Sequence, residues 1–181
     1  MNFRSYTSEG IILAKKAYGE ADKILVVYSK SRGKQSLIAK GIRKPKSRKR
    51  GHIEVFNKII FQATKGHGLD VMTEAEVIDD FKEIKKSLKK ISLAYYFMEV
   101  IGKITHEGEN NNQIFSLIDN YLKALKTSRE LKKLRLSFVT ELLEILGYWP
   151  RGRKLDNPDE KLEEVIERDL VSSRVGKILS T

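Results

Sequence analysis

Between Lys30 and His52 the chain carries ten Lys or Arg residues and no Asp or Glu: Lys30, Arg32, Lys34, Lys40, Arg43, Lys44, Lys46, Arg48, Lys49 and Arg50. The chemistry open to such a set is electrostatic. Cations at repeated spacing match a polyanionic backbone, where each neutralised phosphate releases counterions and binding weakens steeply with salt. Few aromatics interrupt the run, so backbone tracking with little base readout is expected. The bland alternative is a solvated basic loop. Tyr18 lies in a turn and is the better candidate for stacking on a base. Tyr28, Phe56 and Phe61 fall on alternating strands, where aromatics normally fill the core, and Phe61 is expected there.

Other residue types point to less. The carboxylates Asp70, Glu74 and Glu76 resemble the acidic sets that hold catalytic magnesium. Ion pairing of Glu74 and Glu76 with the barrel's own lysines explains them more simply. His67, between two glycines, reads as an exposed turn residue. His52, His67 and His106 are scattered in sequence, and there is no cysteine, which leaves no disulfide and no thiolate zinc site. No nucleophile with a base, phosphate-binding loop or metal signature is visible, and no enzymatic activity or cofactor is expected.

A net charge of +11 and a pI near 9.7 favour nucleic acid, an anionic surface or an acidic protein as partner. No apolar run approaches the roughly 18 residues of a spanning helix, and Met1-Asn2-Phe3-Arg4-Ser5-Tyr6 does not open a signal peptide. The expectation is a soluble cytoplasmic protein with no membrane partner. Residues 1–80 hold 16 Lys or Arg against 9 Asp or Glu, a net of +7, and the longer remainder holds 19 against 15, a net of +4.

The elements that must position these charges change character near Asp80. Before it the pattern has period two: Ile53, Val55, Asn57, Ile59, Phe61 and Ala63 form one face of an expected strand, and Val71, Thr73, Ala75 and Val77 form another. Lys65-Gly66-His67-Gly68-Leu69-Asp70 supplies the hairpin between them. Gly10 to Leu13, Ile24 to Tyr28 and Gln35 to Lys40 read as three further strands, with Tyr18 to Asp22 joining the first two. Five short strands in about 80 residues suit a small closed barrel better than a sandwich of about seven. After Asp80 the period is helical. Ile84, Leu88, Ile91, Tyr95, Met98 and Ile101 step by three and four, as do Ile114, Leu117, Tyr121, Leu122 and Leu125. Thr127 and Glu130 form a capping box for a third helix that stops at Gly147. Asn157 and Pro158 open a fourth, whose Leu162, Val165 and Ile166 cover the bundle.

The pieces Gly10-Ile11-Ile12-Leu13, Tyr18-Gly19-Glu20-Ala21-Asp22-Lys23-Ile24, Gly33-Lys34, Ala39-Lys40-Gly41-Ile42-Arg43-Lys44-Pro45-Lys46-Ser47-Arg48, Gly66-His67-Gly68-Leu69-Asp70 and Thr73-Glu74-Ala75-Glu76 occur in an order and spacing that resembles the RecO family of recombination mediators. Leu146-Gly147-Tyr148-Trp149-Pro150 is similar to the family's segment at that point. Many members carry a cysteine zinc ribbon and further helices beyond it, so this sequence looks like a shortened, zinc-free member.

The resemblance implies an α+β architecture: a five-stranded OB-fold β-barrel over residues 1–80 and an α-helical bundle domain over 81–181. It implies binding of single- and double-stranded DNA, strand annealing, and cooperation with RecR and with the C-terminal tail of single-stranded DNA-binding protein in loading RecA in the RecF pathway, near the nucleoid. An OB barrel takes ligand across strands 2 and 3 and the loops joining strands 1 to 2 and 4 to 5. The DNA-binding candidates are therefore Lys34, Lys40, Arg43, Lys44, Lys46, Arg48, Lys49, Arg50, Lys65 and Tyr18. Cations that bridge two strands lower their repulsion and leave base edges free, which is compatible with annealing. For an acidic tail, Lys126, Arg129, Lys132, Lys133 and Arg135 are candidates by charge, with solvated helix-face cations as the alternative. A basic OB barrel would equally serve an RNA-binding protein of the translation apparatus. A magnesium-dependent nuclease is the third reading.

Overall fold

The structure is a computed structural model that describes residues 5–41 and 52–166. Five strands, β1 (Ser5–Tyr18), β2 (Asp22–Ser29), β3 (Gly33–Ala39), β4 (Lys58–Thr64) and β5 (Asp70–Asp79), close into a barrel in the order β1-β2-β3-β5-β4. Only the β3–β5 pair is parallel among them. The barrel is filled by Ile12, Leu25, Val27, Leu37, Ile59, Phe61 and Met72 with their neighbours. Phe61 is a core residue, as its place on an alternating strand implied.

The apolar run at the start of β1 has a physical explanation. Ile12 points into the barrel, while Ile11 and Leu13 point out and join the core of the helical half together with Tyr28. A strand buried on both faces loses its alternation. β1 is also longer than its apolar run, because Ser5 to Ile11 pairs with β4 and Gly10 to Tyr18 pairs with β2, with a bulge between Ile12 and Ala14.

One local expectation fails here. The strand expected from Ile53 begins only at Lys58, since 55 and 56 form a turn in which Phe56 adopts φ 60°. Ile53 drops into the barrel core while Val55 and Phe56 enter the helical core, so their spacing records two destinations rather than one strand face. Glu74 and Glu76 are exposed and form no ion pair among the described residues, outside which Lys44, Lys46 and Lys49 of the barrel half lie.

The helices are α1 (Lys82–Lys85), α2 (Leu88–Ile104), α3 (Asn112–Thr127), α4 (Leu131–Ile145) and α5 (Pro158–Val165). The stripe expected from Ile84 to Ile101 is broken at Lys86-Ser87, which leaves Leu88 and Tyr95 exposed. The face that α2 buries is Leu93, Ala94, Tyr96, Phe97, Met98, Val100, Ile101 and Ile104. The capping box at Thr127 does not form. Thr127 is still helical as the last residue of α3, and Glu130 stands at the N-cap of α4 without a side-chain bond. Gly147 does stop α4: at φ 79° it donates to Glu144 O at 3.2 Å, and Tyr148 N donates to Leu143 O at 2.9 Å, the paired bonds of a Schellman ending. Asn157 and Pro158 open α5 as expected, and Leu162, Val165 and Ile166 close over the core.

At the centre of the bundle Phe97 stacks on Phe138 at 4.1 Å, with Tyr121 edge-on to both. The two halves are tied by charge as well as by apolar contact. Lys58 of β4 donates to Asp119 of α3 at 3.0 Å, Lys123 donates to the same oxygen at 2.8 Å, and Lys126 meets Asp79 at 2.6 Å. Burial disfavours the Asp119 carboxylate, but the bonds from Lys123 and Lys58 outweigh it and hold the carboxyl below its ordinary value of 3.8. A depressed carboxyl stabilises the fold above its unfolded value and loses that contribution as pH falls through the lower folded one. Asp119→Asn should therefore cost about 1–2 kcal/mol at neutral pH. Urea midpoints should show that difference shrinking below the ordinary carboxyl value.

Candidate nucleic-acid interface

The outward face of β2 and β3, where an OB barrel takes its ligand, is built of three cross-strand rows. The register pairs Tyr28 with Lys34, Val26 with Ser36, and Ile24 with Ile38. The first two rows are covered by the end of α2 and the connection to α3. Tyr28 is fully buried and its hydroxyl donates to Asn111 O at 3.3 Å; burial pushes that phenol up to about 12. Lys34 donates to Gly102 O at 2.8 Å and to Thr105 O, and its own carbonyl accepts from Gly108 N at 3.0 Å. Val26 packs on the helical core, and Ser36 donates to Glu107 Oε1.

Of the three, only the third row is left open by the described residues. Ile24 and Ile38 are partly exposed and belong to neither core. The register extends this row to Lys16 of β1 on one side and Val71 of β5 on the other. Two residues beyond Lys16 on the same strand stands Tyr18, 51% exposed, and two beyond Ile38 stands the exposed Lys40. The turn after Tyr18 adjoins this row, and the exposed loop Lys65 to Gly68 leads into β5 just before Val71.

Of the DNA-binding candidates read from the sequence, Tyr18, Lys40 and Lys65 are thus exposed on or beside the barrel. Arg43, Lys44, Lys46, Arg48, Lys49 and Arg50 lie outside the described residues, in the stretch that follows Gly41. Lys34 is a correction. Its ammonium is drawn onto carbonyls at the C-terminus of α2, where a cation is favoured, and burial lowers its pKa against the opposing pull of Glu107 and Glu109. Lys34→Ala is expected to cost about 1–2 kcal/mol of stability and to leave the salt dependence of any DNA binding unchanged, measured as the slope of log affinity against log salt.

Lys16 was missed by sequence reading. It sits in Ala14-Lys15-Lys16-Ala17, outside the basic run, and only its position two before Tyr18 on an exposed strand end could have signalled it. Its neighbour Lys15 pairs with Glu54.

Asp70, considered as a metal ligand, has its oxygens engaged by the Tyr6 hydroxyl at 2.9 Å and Gly66 N at 3.3 Å, beside Arg32. Among the described residues no three metal-capable side chains cluster.

In the helical half, an open groove of about 1360 Å³ runs between α3, α4 and the segment before α5. Arg129, Lys132 and Lys133 line it together with Leu131 and Leu136. Two other partner-binding candidates are placed elsewhere. Arg135 is buried, donates from Nη2 to Asp159 Oδ2 at 2.9 Å and ties α4 to α5. Lys126 lies 4.9 Å from the Phe81 ring centroid and pairs with Asp79 across the junction of the two halves. Both stood on helix faces by charge alone, and the carboxylate partners that claim them are distant in sequence.

No helix among the described residues is long and apolar enough to cross a membrane.

Two family profiles match this chain: "Recombination protein O N terminal" over residues 1–81 and "Recombination protein O C terminal" over residues 85–154. Among curated proteins, the DNA repair protein RecO of Pelotomaculum thermopropionicum is 34% identical over 145 residues, covering 80% of this chain and 56% of that protein. The DNA repair protein RecO of Desulforamulus reducens is 37% identical over 145 residues, with the same coverage of 80% and 56%. That of Roseiflexus sp. is 31% identical over 151 residues, covering 83% of this chain and 53% of the relative. The chain therefore spans about half the length of the curated relatives it matches. With a closed five-stranded barrel, a helical half and both profiles matched in order, the chain belongs to the RecO, or recombination protein O, family.

Proposed function

We propose that this protein is a non-enzymatic DNA repair and recombination mediator that binds single- and double-stranded DNA, anneals complementary strands and assists RecA loading together with RecR. The observation that carries the reading is the match of both halves of the chain to a family whose relatives are named for DNA repair. It is supported by charge, since the barrel half carries +7 and its open end joins the basic run that begins after Gly41. Cations bound along two backbones at once would bring strands together while their bases stay free to pair. In this reading the groove lined by Arg129, Lys132 and Lys133 receives an acidic peptide with an apolar end, such as the C-terminal tail of single-stranded DNA-binding protein.

The test is annealing of two complementary fluorescent oligonucleotides at several salt concentrations, beside a variant with Arg43, Lys44, Lys46, Arg48, Lys49 and Arg50 changed to Ala. Acceleration by the wild type that fades with salt and is lost in the variant is the expected result. A well-folded wild type that leaves the annealing rate unchanged would sink the reading.

A further inference from the structure

The barrel carries a second outward face, on the side away from β2 and β3. In the closed order β4 neighbours only β5 and β1. Its register sets Ile60 between Glu9 of β1 and Glu76 of β5, and Gln62 between Thr7 and Glu74. We propose that this β1–β4–β5 face docks an extended cationic segment of a partner protein, one with two Lys or Arg residues and an aliphatic residue at successive alternate positions. The cations pair with Glu74 and Glu76, and the aliphatic side chain rests on Ile78 and Ile60. None of these residues belongs to the DNA-binding set read from the sequence.

Apolar surface and negative charge coincide here. Ile60 is 40% exposed, and Ile78, two residues beyond Glu76 on β5, is 49% exposed. An open depression of about 840 Å³ lies over the sheet, lined by Thr7, His52, Ile60, Gln62, Glu74 and Glu76 among others. Glu74 and Glu76 are exposed and have no ion pair among the described residues. Glu9 meets Lys58 at 3.5 Å and Lys30 at 3.9 Å, but Lys58 is held more closely by Asp119 at 3.0 Å. On a half that carries +7, this group of carboxylates repels a phosphate backbone and attracts a cation.

The spacing selects the shape of the segment. Glu74 and Glu76 project from one side of β5 about 7 Å apart, two residues of a strand. Alternate residues of an extended peptide repeat at the same interval, so two cations and then an aliphatic side chain meet Glu74, Glu76 and Ile78 in one register. Arginine suits the carboxylates best, because its planar fork bonds them in pairs. The depression also offers a polar atom that needs a partner. His52 Nδ1 is buried and has no hydrogen-bond partner among the described residues, a want that a hydroxyl or amide of the docked segment would meet.

The experiment is fluorescence anisotropy of a labelled peptide containing Arg-Ser-Arg-Ser-Leu, beside one containing Ser-Arg-Arg-Ser-Leu, with the wild type, the double variant Glu74→Gln/Glu76→Gln, and Ile60→Ser. The alternating peptide should bind the wild type more tightly than the contiguous one does. Its affinity should fall roughly fivefold in the double variant and about threefold in Ile60→Ser, while oligo-dT affinity does not fall in either. Equal affinity for the wild type and the double variant would overturn the docking face, as would equal binding of the two peptides or no binding of either. Binding that appears only when Arg43, Lys44, Lys46, Arg48, Lys49 and Arg50 are changed to Ala would overturn it in favour of the chain's own basic run as occupant. A concentration-dependent dimer of the wild type that the double variant dissolves would overturn it in favour of a second copy. Each of these results leaves the annealing assay to judge the DNA-binding reading by itself.

Discussion

Replacing Gly33 by alanine should destabilise the protein by at least about 3 kcal/mol, a large share of the roughly 5–15 kcal/mol that a domain possesses. Gly33 opens β3 at φ 66°, where an L side chain is strained by about 1–2 kcal/mol. A Cβ built there would lie 1.8 Å from Glu109 O and 2.5 Å from its carbonyl carbon. Both are backbone atoms, so no rotamer change relieves the contact. The variant can only push the α2–α3 connection off the hairpin, which breaks the bond from Gly108 N to Lys34 O and exposes the Lys34 ammonium and the Tyr28 hydroxyl. Urea denaturation gives the loss of stability, and amide hydrogen exchange at Gly108 shows where it is felt. A variant as stable as the wild type, with Gly108 still protected, would mean that the connection does not close on the barrel in solution.

Phe138→Ala should cost about 3–5 kcal/mol, the range for removing a buried aromatic ring. Phe138 is fully buried, stacked on Phe97 of α2 at 4.1 Å and in edge contact with Tyr121 of α3 at 5.3 Å. One deletion therefore removes the piece shared by three helices and leaves a cavity that α4 cannot collapse, being pinned to α5 by Arg135 and Asp159. The thermal midpoint should fall by many degrees. DNA affinity measured well below that midpoint should change by less than twofold, since the ring is remote from the open end of the barrel.

How much of this was legible beforehand differs from element to element. The five-stranded barrel followed by helices was readable because hydrophobic period two gives way to period three and four at a definite place. The ends of α4 and α5 were readable because Gly147, Asn157 and Pro158 act through local backbone geometry. The segment from Ile53 to Asn57 was not, because apolar residues spaced by two look the same whether they line one strand or plug two cores in turn. Leu88 misled for a similar reason, as a helical stripe cannot show a break of two residues. The fates of Lys34, Lys126 and Arg135 were invisible in principle: the carbonyls of Gly102 and Thr105, and the carboxylates of Asp79 and Asp159, lie far away along the chain. Charge counts foretell how many cations exist, and tertiary structure decides which of them remain available. Tyr18, read as a turn residue, is the last residue of β1 and is exposed, whereas Tyr28 and Phe61 lie within strands and are buried.

The outward side of β1 and β2 also bears on how the molecule can be divided. Ile11, Leu13, Val26 and Tyr28 are covered only because the helices lie against them. A barrel cut loose after Asp79 would present these side chains to water as one contiguous greasy patch, of the kind that drives self-association in a monomer. It would also shed Asp119, the nearer of the two carboxylates beside Lys58, and leave Asp79 without Lys126. The barrel and the bundle are thus obligate companions, and a barrel fragment prepared from this chain must carry its helices with it to remain in solution.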